Sequence, residues 1–186
     1  MKIKDIIKNS AVFLGLERVI TSIENLTEEN EIEILKSEEM SKLFNIIKLS
    51  IQDLCSHYLT VRVTEQIEVT NKFYEVKNLA NLIRVEKVFK GEESVNFKIV
   101  NRSIIFEDNG IYNVQFLAYP EIKSLNDDLD YFENFDMQVL VYSVCAYYSI
   151  SIGAFEEFDY FHKMFEESVE KLKELKVFTI PARRWE

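Results

Sequence analysis

The sequence predicts an α+β fold: a helical bundle built from both ends of the chain, an inserted small antiparallel β module, and an extended C-terminal arm. Three observations predict it. Apolar residues recur at three- and four-residue spacing over residues 40–58 and again over 155–175, the mark of amphipathic helices. Between residues 61 and 119 that spacing gives way to β-branched and aromatic residues with partial alternation, punctuated by Lys90-Gly91 and Asp108-Asn109-Gly110. Pro181 then forbids the last helix from continuing. The expected organisation is one domain over residues 1–176, with N-terminal helices to 59, the β module over 60–120 and a helical hairpin over 124–176, followed by an arm over 177–186.

The elements follow in order. Ile6, Ile7, Ala11, Val12, Leu14 and Leu16 place a helix over residues 4–16, with Gly15 near its C-terminus. Residues 21–39 are rich in glutamate; their first part is expected to be a loop and their charge a solvated face. Met40, Leu43, Phe44, Ile47, Ile51, Leu54, Cys55 and Tyr58 then form one apolar stripe about five turns long. Strands are expected over 61–69, 73–76, 82–89, 96–100, 103–106 and 111–119, giving a sheet or sandwich of about five to seven strands, with Asp108-Asn109-Gly110 as a hairpin turn. Asp127, Asp128 and Asp130 suit a helix N-terminus, and an apolar helix follows over 131–152. After Gly153, Phe155, Phe158, Phe161, His162, Phe165, Val169, Leu172 and Leu175 make the stripe of the last helix, antiparallel to the one before.

Composition excludes several functions. Four glycines in 186 residues leave no glycine-rich phosphate loop or dinucleotide fingerprint. A net charge of −10 repels phosphate, so non-specific nucleic-acid binding by the whole surface is not expected. The N-terminus lacks a signal-peptide pattern, and the longest uncharged stretch, residues 137–152, is too short for a bilayer span, so no membrane association is expected. Cys55 and Cys145 lie in apolar helical patterns and read as buried reduced thiols, which fits synthesis in a cytoplasm.

Candidate chemistry is sparse. Cys55 and His57 are two apart on a helix, point to different faces and cannot share a proton. His162 reads as a histidine at the edge of the core. Asn126, Asp127, Asp128 and Asp130 lack the glycine a calcium loop needs. Glu156, Glu157 and Asp159 fall at a helix start, where acids are expected for electrostatic reasons. No catalytic residue, metal site or cofactor is therefore expected.

Two segments instead point to other chains. Tyr142, Tyr147, Tyr148, Phe155 and Phe158 crowd the terminal helix pair, and residues 142–152 are apolar around most of the helix. A neighbouring subunit, or the rest of the bundle, must cover them. The arm carries Phe178, Ile180, Pro181, Arg183, Arg184 and Trp185, the only tryptophan. Tryptophan and arginine are enriched at binding hot spots, and an extended arm can pair with a partner's sheet edge. Docking on its own domain is the alternative.

The strand–linker–helix–helix order around Val114-Gln-Phe-Leu-Ala-Tyr-Pro120, Leu125-Asn-Asp-Asp-Leu129 and Ile152-Gly-Ala-Phe-Glu-Glu-Phe158 resembles that of the head–tail adaptor (connector, head-completion) proteins of tailed bacteriophages. The ending Ile180-Pro-Ala-Arg-Arg-Trp185 is similar to a C-terminal box of phage virion proteins. The resemblance implies a non-enzymatic ring, commonly of twelve copies, at the neck of the virion. It implies portal protein and tail or neck proteins as partners, with the arm gripping the portal or a sister subunit. Genomic DNA would pass through without specific binding. Two other readings stand beside it: a tail-completion or tail-hub component, and a bacterial small-molecule-binding regulatory module whose aromatic helix pair lines a pocket.

Overall fold

The computed structural model describes residues 1–58, 61–129 and 136–177, with side chains to residue 171. The fold is α+β, as the sequence predicts, and the chain divides into two compact units. The first joins residues 1–51 to residues 122 onward; the second, residues 52–121, is inserted between them.

In the first unit, α1 spans Ile3–Phe13 and α2 spans Glu17–Glu24. Helix α3 is Glu31–Leu35, and α4, Glu38–His57, starts in this unit and ends in the second. The acidic segment is a loop only over residues 25–30; residues 21–24 close α2 and 31–35 form α3. Val19 and Ile23 give α2 a buried face, and local turn bonds suffice for α3. Nor is its charge merely solvated, because Glu31 accepts the Leu125 amide at 2.6 Å. The α4 stripe is buried from Met40 to Cys55, whereas Tyr58, one turn on, is exposed.

Helix α5 spans Met137–Ser151 rather than starting at residue 131. Asp136, in extended conformation, caps it by accepting the Gln138 amide at 2.9 Å, which fixes the start. The expected residues 131–135 lie outside the described residues. Asp127 does not sit at a helix start either; its carboxylate accepts the Lys123 and Ser124 amides at 2.6 and 2.9 Å and closes a turn. The N-terminus runs alongside that turn, with Lys4 N–H donating to the Leu125 carbonyl at 2.8 Å and Leu129 N–H to the Met1 carbonyl at 2.7 Å.

The α5 helix ends in a Schellman arrangement. Ala154 N–H reaches the Ser149 carbonyl at 2.9 Å and Gly153 N–H the Ile150 carbonyl at 3.2 Å, with Gly153 at φ +78°. That reversal sends α6, Phe155–Val177, back along α5 as the expected hairpin. Nine of the fifteen α5 residues are buried, among them Leu140, Val141, Val144 and Cys145. Helix α1 packs on α5 and contributes Ile3, Ile6, Ile7 and Ala11 to the core.

The described residues of the second unit form seven strands in two sheets. The larger has the order β1 (Arg62–Val69), β7 (Gly110–Ala118), β3 (Leu82–Lys90), β4 (Glu93–Ser94), all antiparallel. The smaller has the order β2 (Phe73–Glu75), β6 (Ser103–Ile105), β5 (Lys98–Val100). Ile67, Val88, Ile104, Val114 and Phe116 form the core of this unit. Lys90-Gly91-Glu92-Glu93 turns between β3 and β4 as expected. Asp108-Asn109-Gly110 does not make a hairpin. It links β6 to β7, which lie in different sheets, with Gly110 at φ +147° and the Asn109 side chain accepting the Lys72 amide at 2.8 Å.

The tight turns are elsewhere. Asn71-Lys72 joins the bridged pair Thr70 and Phe73, and Asn101-Arg102 joins Val100 to Ser103. All four turn residues have φ between +49° and +62°, the type I′ pattern that favours Asn-Gly. A side chain in that conformation costs about 1–2 kcal/mol.

Phe116 is 1% exposed at the centre of the second unit's core. Phe116→Ala is expected to cost about 3–5 kcal/mol, read from the urea midpoint at constant slope. A change under about 1 kcal/mol would mean that the site is not packed as described.

Candidate functional site

The residues singled out on the terminal helix pair are separated by the fold. Tyr148 is buried, and the Lys42 ammonium of α4 lies 5.0 Å from its ring centroid. Burial, and then the Glu39 charge, hold its phenol above the ordinary value. Its ring is already covered within the chain and has almost no area left to offer a subunit. Tyr142 and Tyr147 are half-buried. Tyr142 meets Phe13 of α1 with centroids 6.0 Å apart, and Phe13 in turn meets Phe161 of α6 edge-on at 6.2 Å. Phe158, also half-buried, stacks on His162 at 5.2 Å and 12°, and His162 stacks on Phe165 at 6.3 Å. His162 is exposed and lies 3.5 Å from Glu166, so it belongs to a surface ladder along α6.

Phe155 is the outlier, at 66% exposed. Ile150 and Ile152, on the other side of the turn, are also exposed, as is Tyr160, five residues on along α6. The tip of the α5–α6 hairpin is therefore an apolar surface facing solvent. Glu156, Glu157 and Asp159 are exposed beside it. No lysine or arginine occurs between Lys123 and Lys163, so this end of the hairpin is purely acidic. Helical spacing marks Phe155 and Tyr148 alike. Spacing alone cannot tell a stripe residue over the core from one beyond the last covering turn. Phe178, Ile180, Pro181, Arg183, Arg184 and Trp185 lie outside the described residues.

A second apolar surface went unseen in the sequence. On the three-stranded sheet, strand register places Phe73, Ile105 and Lys98 in one row and Glu75, Ser103 and Val100 in another row on the same face. The opposite face carries Tyr74, Ile104 and Ile99, with Ile104 fully buried in the core. Phe73, Ile105 and Val100 are exposed on the outer face. These strands are three residues long, too short for alternation to mark a face in sequence.

Polar grooves complete the surface. On the four-stranded sheet, Glu86 accepts from Arg62 Nε at 2.8 Å and lies 3.7 Å from the Arg84 guanidinium, beside Lys87 and Gln115 in an open groove of about 540 Å³. Another groove, between α2 and α3, is lined mainly by polar residues such as Arg18, Thr21, Asn25 and Glu33. Both are open, unlike the cavities that enclose small molecules.

The histidine and cysteines singled out in the sequence lie apart. His57 Nδ1 lies 3.0 Å from the Asp53 carbonyl and 3.1 Å from its carboxylate, on the exposed side of α4 and away from buried Cys55. Burial pushes the Cys55 thiol up to about 11. The Cys145 thiol is pushed up to about 12 by burial, partly offset by its contact to the Ser10 carbonyl at 3.8 Å. Among the described residues no group of three His, Cys, Asp or Glu side chains is placed to hold a metal ion. No described helix is long and apolar enough to cross a membrane.

The thiol values generate a prediction. Both are raised, so the stability they contribute is fully present below the ordinary thiol value of 9.0 and is lost as pH rises towards about 12. Cys145→Ala should flatten the decline of unfolding free energy over that window, measured by urea titration at several pH values. An unchanged slope would mean the thiol ionises as freely in the folded chain as in the unfolded one. No protein-family model matches the chain, and no curated protein matches it.

Proposed function

We propose that this chain is a non-enzymatic structural protein of a tailed-phage virion, an adaptor that assembles as a ring at the neck between portal and tail. The observation that carries the reading is the solvent-facing apolar tip of the α5–α6 hairpin, where Ile150, Ile152, Phe155 and Tyr160 are all exposed. Large apolar side chains exposed together at one end of a helix pair are what an interface buries. The insertion of a β unit into a helical unit supports it further, since that order is what the sequence shares with head–tail adaptors.

In this reading the hairpin tip contributes subunit contacts. The arm with Phe178, Ile180, Pro181, Arg183, Arg184 and Trp185 anchors on the portal or on a sister subunit. Its two arginines oppose the sign of an acidic body and steer it onto acidic surfaces. Genomic DNA passes an acidic lumen without adhering.

Removing residues 178–186 should leave a folded protein, by circular dichroism and thermal melt, that no longer joins the portal in native mass spectrometry. A truncated chain that still forms portal-bound rings and yields infectious particles would remove the anchor role. A full-length chain that stays monomeric, alone and with portal, would remove the adaptor reading itself.

A further inference from the structure

Two exposed apolar surfaces on this chain have rims of opposite charge. The first is the hairpin tip, with Ile150, Ile152 and Phe155 beside Glu156, Glu157 and Asp159. The second is the outer face of the β2-β6-β5 sheet, with Phe73, Ile105 and Val100 exposed. Lys98 lies within that face, in the row of Phe73 and Ile105. Lys72 stands at one end of the sheet and Arg102 at the other, both exposed. The acid on the face, Glu75, is already paired with Lys77 at 2.5 Å, and Glu107 follows beyond Ile105.

The two turns supply an independent observation. Lys72 and Arg102 both have φ +62° in two-residue turns where glycine is favoured. Each sits in a conformation that glycine adopts without strain. Each therefore keeps a cationic side chain at a conformational cost that glycine would avoid. The backbone is held there by the Phe106 amide on the Lys72 carbonyl and the Val76 amide on the Arg102 carbonyl, both at 2.9 Å, so each turn presents its cation from a fixed position. A pair of long cations bracketing an apolar face is suited to an acidic, apolar partner.

We propose that the hairpin tip of one copy packs on the outer face of the three-stranded sheet of the next copy. This rests on the assembly reading above and names its contact. One chain carries both halves of a complementary pair, so the occupant of each surface is a second copy. The two surfaces differ, so the contact is heterologous: copies meet head to tail and either close into a ring or extend as a filament. Apolar side chains supply the buried area, and the opposite rims set the register and exclude tip-to-tip and face-to-face pairing.

The test is a charge exchange on the full-length chain, followed by light scattering and native mass spectrometry. Lys98→Glu with Arg102→Glu reverses the sheet face; Glu156→Lys with Glu157→Lys reverses the tip. All four side chains are exposed, and circular dichroism checks each fold. Each reversed variant alone should assemble about tenfold more weakly or worse, because like charges now meet. An equimolar mixture of the two should recover assemblies, since both kinds of contact then join opposite signs. Phe155→Ser and Phe73→Ser, which alter no charge, should weaken assembly independently. If the wild-type chain assembles and the reversed variants assemble equally well, the contact is wrong while the ring survives. Dispersal of both variants without recovery on mixing also overturns it, because the two surfaces would not be meeting each other. A wild-type chain that stays monomeric at high concentration overturns the contact and the ring together.

Discussion

The burial of α5 is the constraint on which the helical unit depends. This helix is apolar on nearly every side, so no single neighbour can cover it. The chain meets the demand from both ends: α1 from the N-terminus and α6 from the C-terminus pack against it. The Schellman turn at Gly153 makes the second contact possible by reversing the chain within a few residues. The cover is uneven along the helix. Between Val139 and Ser149 every residue but the half-buried Tyr142 and Tyr147 is buried, while Ile150 and Ile152 at the end emerge into solvent. The apolar tip is thus where the fold stops covering its most demanding helix.

The β unit solves a different problem. Its sheets are small, and three of its strands have only three residues, so little side-chain area is available to each strand. The core is concentrated on the longer strands β1, β3 and β7, with Phe116 and Val114 at its centre and Ile104 reaching in from the smaller sheet. What remains on the outer face of that smaller sheet is apolar and exposed, bracketed by cations in strained turns. Charge is segregated accordingly. The hairpin end carries acids without a lysine or arginine, whereas the β unit supplies Lys72, Lys98 and Arg102 around its exposed face. The cations of the chain are spread along its whole length, so this segregation is local to the two exposed faces, where it favours directional contacts over non-specific association.

Several side chains of types that do chemistry elsewhere have structural uses here. Buried thiols held neutral, histidines paired with neighbouring carboxylates, and an aspartate turn engaged by backbone amides are structural uses of side chains that in other settings do chemistry. Glu31, which holds the Leu125 amide, is a further case: an acid in a charge-rich stretch fastens a linker distant in sequence.

The sequence by itself determined the α+β class, the long α4 and α6 helices and the block of strands between them, because helical and strand periodicities persist over many residues there. It also determined that Gly15 and Gly153 end helices, since both adopt positive φ that other residues resist. Only the tertiary structure decided the rest. The start of α5 depended on the Asp136 cap, and the short helices α2 and α3 had too few turns to announce themselves. Asp108-Asn109-Gly110 carried a hairpin signal, yet the strands it joins belong to different sheets, a choice made by core packing and not by the turn. Tyr148 and Phe155 looked alike as aromatic positions on a helix pair. Their fates diverged, one under Lys42 and one in solvent, because burial is set by where neighbouring elements end, and no local pattern encodes that.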